Sequence, residues 1–206
     1  MKVLLINGSS KEASCTFTAL SEVAGALKKN GVATEIMYLG RDPIAGCTAC
    51  LACRQTRRCR VDDKVNEILD RIDEFDGFVF GSPVYYASAS GQICSFLDRL
   101  FYASGGVFKY KPGASIVSCR RGGATAAFDR LNKYFTINSM PVVSSSYWNM
   151  VHGNTPDEVK QDLEGMQIMR NLGANMAWLL RSIQAGRDAR VALPEAEQKI
   201  CTNFIR

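Results

Sequence analysis

The stretch that decides the fold is MKVLLINGSS (residues 1–10), followed by the hydroxyl-bearing run Ser14-Cys-Thr16. Its segment from Val3 to Ile6 is short, apolar and bounded by Asn7-Gly8, so it predicts a buried strand. After the loop, apolar residues recur at helical spacing: Phe17, Leu20, Val23, Ala24 and Leu27. A strand, a hydroxyl-rich loop and a helix start predict an anion site, because the first N–H groups of a helix lack intrahelical partners.

The anion that best suits this loop is a phosphate monoester. The G-x-G-x-x-G fingerprint of dinucleotide folds is absent, and so is the G-K-[ST] ending of the P-loop. Short hydroxyl side chains and backbone amides would hold a phosphate without adding charge. The alternative is that these Ser and Thr residues form an ordinary helix cap.

Strands and helices alternate along the rest of the chain. Further strands are predicted at residues 33–38, 78–80, 113–118 and 141–143, and helices with one apolar face lie between them. This alternation predicts an α/β fold with a doubly wound parallel sheet, in which ligands bind beyond the carboxyl ends of the strands. The loops at residues 8–16, 82–86 and 118–123 should therefore converge on one crevice.

The C-terminal part predicts a helical extension of the same domain. A long helix is expected to start at Pro156 and to break at Gly186, with its methionines packed in the core or against another subunit. With no internal repeat or linker, residues 1–206 are predicted to form a single domain. Its extension, residues 145–206, is the predicted oligomer contact.

Composition limits the class of protein. The chain has 206 residues, of which 47% are hydrophobic and 22% charged, which is typical of a globular protein. The apolar run at the start is too short for a signal peptide or a membrane span, so a cytoplasmic protein without membrane contact is expected. The net charge of +5 is concentrated in arginine clusters and not in a stripe interleaved with aromatics, which favours a small anionic ligand over nucleic acid.

A cysteine run occupies the long irregular segment at residues 39–61. Its spacing is Cys47-x2-Cys50-x2-Cys53-x5-Cys59. Three thiolates this close can reach one centre, and the compact triple is more typical of ferredoxins than of zinc ribbons. The specific hypothesis is a [4Fe–4S] cluster on these four metal-ligand candidates; the alternative is free cysteines that pack a loop. Neighbouring arginines, Arg54, Arg57, Arg58 and Arg60, would suit a negatively charged cluster, an acidic donor protein or a phosphate of NADPH.

Several motifs carry a family resemblance. Gly8-Ser-Ser10 with Ser14-Cys-Thr16, then Gly81-Ser-Pro-Val-Tyr85 and Gly122-Gly123, resemble the three flavin loops of NADPH-dependent FMN reductases with the flavodoxin-like fold. The cysteine run followed by Asp62-Asp63 resembles the iron–sulfur flavoproteins of that group, and residues 146–153 resemble the bacterial FMN-dependent azoreductases. The resemblance implies five parallel strands in the order 2-1-3-4-5 and FMN near the subunit interface of a homodimer or homotetramer.

The resemblance also implies roles for individual residues. The implied cofactor-binding residues are Ser9, Ser10, Ser14, Cys15, Thr16 and Phe17 at the phosphate, Pro83, Val84, Tyr85 and Tyr86 along the isoalloxazine ring, and Ser118, Arg120, Gly122 and Gly123 on the third loop. Arg120 and Arg121 would stabilise reduced flavin, bind the 2′-phosphate of NADPH, or be solvated surface residues. His152 is a candidate proton donor or a structural loop residue, and Trp148 would cover a neighbouring subunit's flavin or lie in the dimer contact.

The functional hypothesis is an FMN-dependent NAD(P)H oxidoreductase that reduces quinone, azo or flavin-type acceptors by two-electron transfer. No catalytic side chain is certain, because the flavin performs the chemistry. The rival hypothesis is an iron–sulfur flavoprotein that carries single electrons from a ferredoxin. A third reading is a regulatory or scaffold protein that binds FMN only for stability.

Overall fold

The computed structural model describes residues 1–198, 200–202 and 204 of the chain. Within them the strands are β1 (Lys2–Asn7), β2 (Ala33–Tyr38), β3 (Gly77–Tyr85), β4 (Ser88–Ala89), β5 (Gly113–Cys119) and β6 (Met150–His152). The sheet order is β2-β1-β3-β5-β6, all parallel, and the two-residue β4 pairs antiparallel with the end of β3. With β4 set aside, this is the predicted order 2-1-3-4-5, and the flavodoxin-like α/β class is confirmed.

Helices cover both faces of the sheet. They are α1 (Cys15–Lys29), α2 (Cys53–Thr56), α3 (Lys64–Leu69), α4 (Gly91–Ala103), α5 (Ala124–Ile137), α6 (Pro156–Gln161) and α7 (Leu163–Asp188). Successive side chains of a strand point to opposite faces. Val3 and Leu5 therefore pack under α1 and α7, whereas Leu4 and Ile6 pack under the helices on the other face.

The fifth strand differs from the prediction at residues 141–143. That segment makes only an isolated bridge from Val142 to Gly113 at the start of β5, and the strand itself is β6, which pairs with residues 117–119. Residues 144–149 leave the sheet between the two contacts. Asn149 spans the gap, since its side-chain amide donates to Ser115 O at 3.1 Å and its carbonyl accepts from Val117 N at 3.0 Å.

The C-terminal helix was also predicted as one piece, and this was wrong. Asp162 has a non-helical backbone and separates α6 from α7; its carboxylate accepts hydrogen bonds from the amides of His152 at 2.7 Å and Gly165 at 2.9 Å. Gly186 does not break the helix, which continues to Asp188. No helix in the described part of the chain is both long and apolar enough to cross a membrane.

The methionines of α7 belong to the core of this chain. Met166 is 8% exposed, and Met169 and Met176 are fully buried among apolar residues of α1 and the sheet. The two helices come close at Gly173, where an added Cβ would stand 2.7 Å from both the carbonyl oxygen of Val23 and the Cβ of Ala26. The absence of a side chain at Gly173 therefore sets the distance between α1 and α7.

Replacing Gly173 with Ala should destabilise the fold. The clash with helix backbone is expected to lower the free energy of unfolding by about 1–3 kcal/mol, although Ala has the higher helix propensity. The matched control is Gly25→Ala in α1, which meets nothing within 4 Å and should raise it by roughly 0.5–1 kcal/mol. Urea unfolding measures both, and a Gly173→Ala midpoint equal to that of the wild type would contradict the close approach.

Candidate functional site

Four loops meet at the carboxyl ends of the strands around a cavity of about 340 Å³. They follow β1, β3, β5 and β6, as expected for ligand sites in a doubly wound sheet. The lining residues are Ser9, Ser10, Lys11, Ala13, Ser14, Cys15, Thr16, Pro83, Val84, Tyr85, Ser118, Cys119, Arg120, Gly153, Asn154, Thr155 and Pro156.

The loop after β1 is shaped by its own polar groups. The Asn7 side chain accepts from the amide of Ser9 at 3.2 Å and donates to the carbonyl of Glu12 at 3.0 Å. Ser9 Oγ accepts from the amide of Lys11 at 3.2 Å, and Ser14 Oγ caps α1 by accepting from the amide of Phe17 at 3.1 Å. Ser14 is thus a true helix cap and also lines the cavity, so the two readings of the hydroxyl run are compatible.

The floor of the cavity ties α1 to β5. Thr16 is fully buried, and its hydroxyl lies 2.9 Å from that of Ser118, which is 4% exposed. The first turn of α1 is therefore held at the end of β5, and Ser14, Cys15 and Thr16 line the cavity. A helix N-terminus in this position favours an anion.

Two tyrosines at strand ends, one on β3 and one on β2, contact the loop after β1. Tyr85 Oη lies 3.2 Å from Ser10 Oγ, and Tyr38 donates to the carbonyl of Ser10 at 2.9 Å. Tyr86 and Ala87 form the hairpin tip with φ values of 49° and 58°. Residues other than glycine rarely adopt this left-handed backbone conformation, and backbone strain of this kind is concentrated at functional sites.

The electrostatics of the cavity favour a negatively charged ligand. Lys11 and Arg120 line it, and no carboxylate is found among the described lining residues. Two thiols also line it, Cys15 and Cys119, and burial raises the pKa of both, which keeps them neutral at physiological pH. The cavity therefore presents amides, hydroxyls and two cations.

Most of the predicted flavin residues lie together. Those that line the cavity are Ser9, Ser10, Ser14, Cys15, Thr16, Pro83, Val84, Tyr85, Ser118 and Arg120. Those that do not are Phe17, Tyr86, Arg121, Gly122, Gly123, Trp148 and His152. Tyr86 is fully exposed at the hairpin tip. His152, next to Gly153, is also exposed, and the Nδ1 atom of His152 lies 3.7 Å from the carboxylate of Asp162.

Sequence reasoning missed one wall of the cavity. Residues 153–156 follow β6, and this strand was not recognised because it has only three residues. The Gly153-Asn-Thr-Pro156 turn directly after Met-Val-His was the available signal, since loops after parallel strands share one edge of the sheet. Lys11, Ala13 and Cys119 belong to the loops at residues 8–16 and 118–123 that were predicted to converge, although they were not named as cofactor-binding residues.

The four cysteines of the run line a second, smaller cavity of about 50 Å³. Ala49, Leu51 and Arg57 adopt left-handed φ values of 53°, 59° and 54° within this segment, a costly conformation that the fold must support. A backbone hydrogen bond from Ala52 lowers the pKa of the Cys50 thiol. Among the described residues, no three His, Cys, Asp or Glu side chains are arranged to hold a metal ion. Four thiols are the ligand set of an iron–sulfur cluster, but here they are not in ligand geometry.

The sheet order, with a hydroxyl-rich loop and a helix N-terminus at the carboxyl edge and Tyr85 opposite them, is that of a flavodoxin-like protein. The model of the NADPH-dependent FMN reductase family matches residues 1–155, so the chain belongs to that family. The cofactor of the protein is accordingly FMN, and its co-substrate is NAD(P)H. The protein is a flavin-dependent oxidoreductase.

Individual relatives extend the likeness along the chain. An iron–sulfur flavoprotein of Methanocaldococcus jannaschii is 30% identical over 192 residues, covering 89% of this chain and all of the relative. An iron–sulfur flavoprotein of Methanosarcina thermophila is 27% identical, covering 91% of this chain and all of the relative. The crystal structure of an azoreductase from Bacillus anthracis superposes with a TM-score of 0.60 at 14% identity, covering 84% of this chain and 99% of the other, which supports the fold.

Gly123 should be essential to the hairpin geometry at this site. It has φ +91°, and an added Cβ would stand 2.6 Å from Ala87 Cα, so Gly123→Ala should lower the free energy of unfolding by about 1–3 kcal/mol. The neighbouring Gly122→Ala meets nothing within 4 Å and should change it by less than about 0.5 kcal/mol. Urea unfolding of the FMN-free variants tests the pair, and equal stabilities would show that the hairpin does not require Gly123.

Proposed function

We propose that the 340 Å³ cavity binds FMN and that the protein transfers two electrons from NAD(P)H to quinone, azo or flavin-type acceptors. The observation that carries this proposal is the convergence of a helix N-terminus, Lys11 and Arg120 on a cavity without carboxylates among its described lining residues. Such a site favours a dianionic phosphate and disfavours a cation.

The phosphate would lie at the start of α1. Ser9 and Ser10 would donate hydroxyl hydrogen bonds, and the amides of the first helical turn would supply the remaining donors. Thr16 acts differently, because its hydroxyl is buried against that of Ser118, and its contribution is to hold the helix start in place. Ser14 accepts at the helix cap through its oxygen and would keep its O–H free to donate to the phosphate.

The isoalloxazine ring would lie along the carboxyl end of β3. Pro83 fixes the backbone there, and Val84 and Tyr85 would present backbone amides to the flavin heteroatoms. Arg120 faces the same cavity and would stabilise negative charge on the reduced ring. The chemistry that bound FMN would supply is hydride acceptance from NAD(P)H and two-electron reduction of the acceptor.

Residues outside the cavity would protonate the acceptor or contact a second subunit. His152 lies beside the β6 loop and is exposed, so it could protonate a reduced acceptor that enters from solvent. Tyr147 and Trp148 pack on each other with ring centroids 4.9 Å apart, yet remain 56% and 52% exposed. We assign this aromatic pair to the contact between subunits of a homodimer or homotetramer.

Replacing Ser9 with Ala should weaken FMN binding. Hydrogen bonds to charged groups are worth about 1.5–3 kcal/mol, so a loss of roughly ten-fold or more in affinity is expected. Quenching of flavin fluorescence measures it, with Ser21→Ala, on α1 but away from the cavity, as the control. Riboflavin lacks the phosphate and should bind both variants alike; an equal loss for riboflavin would remove Ser9 from the phosphate site.

A second candidate function is electron transfer through a [4Fe–4S] cluster, with ferredoxin as the donor. It is favoured by the four cysteines around one cavity, and the curated relatives are iron–sulfur flavoproteins by name. Cys47, Cys50, Cys53 and Cys59 would supply four thiolates, which is the ligand set of such clusters. The thiols would have to turn further toward the cavity to reach a common centre.

Iron and acid-labile sulfide in protein purified without oxygen test this second candidate. About four irons per chain are expected with the cluster, and Cys50→Ser should lose iron and sulfide while it retains FMN. Cys201→Ser, an exposed cysteine of the tail, is the control. Wild-type protein that oxidises NAD(P)H without iron, with Cys50→Ser equally active, would reject the cluster and leave the simple reductase.

A further inference from the structure

A buried arginine lies beneath the cysteine segment, which we define as residues 45–61. Arg99 is on α4 and is only 2% exposed. All five of its N–H donors have acceptors. They reach Cys59 Sγ at 3.2 Å, Ala45 O at 3.3 Å, Val61 O at 2.8 Å, and the two carboxylate oxygens of Asp63 at 2.6 and 2.9 Å.

The acceptors are placed at the two ends of the segment. Ala45 precedes the first cysteine of the run, whereas Cys59 and Val61 are at its end, so one side chain joins both ends. Bringing the ends of a loop together costs conformational entropy, and fixed hydrogen bonds offset that cost. Asp63 neutralises the guanidinium and at the same time caps α3 by accepting from the amide of Val65.

Cys59 is the cysteine on which these contacts converge. Its amide and carbonyl are bonded to the buried side chain of Asn66 at 2.8 and 2.9 Å, and its sulfur accepts from Arg99. Cys47 and Cys50 are exposed by contrast. The surrounding protein thus fixes both the backbone and the sulfur of Cys59.

We propose that Arg99 is the positioning residue of the cysteine segment: it closes residues 45–61 and holds the sulfur of Cys59 through an N–H···S hydrogen bond. Only a guanidinium supplies five donors in one plane, and a lysine ammonium has three on a flexible stem. The part that concerns a bound cluster rests on the second candidate function; the closing of the segment does not.

The first test uses hydrogen exchange of the FMN-bound protein without added iron. Arg99→Lys keeps the charge but loses the planar fork, so amides of residues 45–61 should exchange at least several-fold faster, while those of β1 and α1 keep their rates. Arg58→Lys is the matched control, because Arg58 lies in the same segment but forms exposed ion pairs with Asp62 and Asp70. Should Arg99→Lys fail to fold, Arg99→Met combined with Asp63→Asn removes both charges and keeps a capping side chain.

The second test uses protein reconstituted with iron and sulfide under anaerobic conditions. Hydrogen bonds to ligand sulfur favour the reduced, more negative cluster. Arg99→Lys should therefore shift the midpoint potential to more negative values, and Arg58→Lys should leave it unchanged.

Each outcome decides a separate part of the proposal: the closing of residues 45–61, the N–H···S contact, or the presence of a cluster. Unchanged exchange in residues 45–61, or a rise that is equal in β1 and α1 and accompanied by loss of FMN, overturns the positioning role. An unchanged potential in an iron-loaded Arg99→Lys variant overturns the N–H···S contact. Wild-type protein that takes up no iron rejects the second candidate function, and the exchange rates alone then decide the role of Arg99.

Discussion

The close approach of the loop after β1 to the middle of β3 is the constraint on which the flavin site depends. The amide of Gly8, after β1, donates to the carbonyl of Gly81 in β3 at 2.9 Å. A Cβ on Gly8 would meet Ile93 at 2.7 Å, and a Cβ on Gly81 would meet Thr16 at 2.8 Å and Leu20 at 2.9 Å. Because Gly81 has no side chain, the first turns of α1 can pack directly on β3, and because Gly8 has none, α4 can pack against the start of the loop after β1.

Much of this arrangement could be predicted from sequence, because the relevant segments carry strong local signals. The strand at residues 33–38 has the predicted bounds, and the hydroxyl-rich loop after β1 lies at the cavity as expected. The fifth strand was misplaced because Pro141-Val-Val143 has the β-branched composition of a strand, whereas the real β6 has three residues and no detectable period. Its position is fixed by pairing with β5, which is a contact between distant parts of the chain.

The cysteine segment illustrates a different limit. Spacing alone identified the four thiols that line one cavity, but it could not identify the side chain beneath them. Arg99 lies in α4 among Phe96, Leu97 and Leu100, which are all buried. A charged residue on this apolar helix face was the only sign in the sequence that Arg99 has a structural role. Its role depends on acceptors from residues 45–63, which only the tertiary structure brings together.

The interrupted outer strand has a consequence for assembly. Edge strands with long rows of free N–H and C=O groups recruit strands from other chains, and short or interrupted edges prevent this. At this edge the outermost strand, β6, has only three residues. Just before it, the Asn149 side chain bonds to the carbonyl of Ser115, where a continuous strand would have used its backbone. The β6 side of the sheet is therefore a poor template for strand addition, and copies of the protein that meet there must associate through side chains.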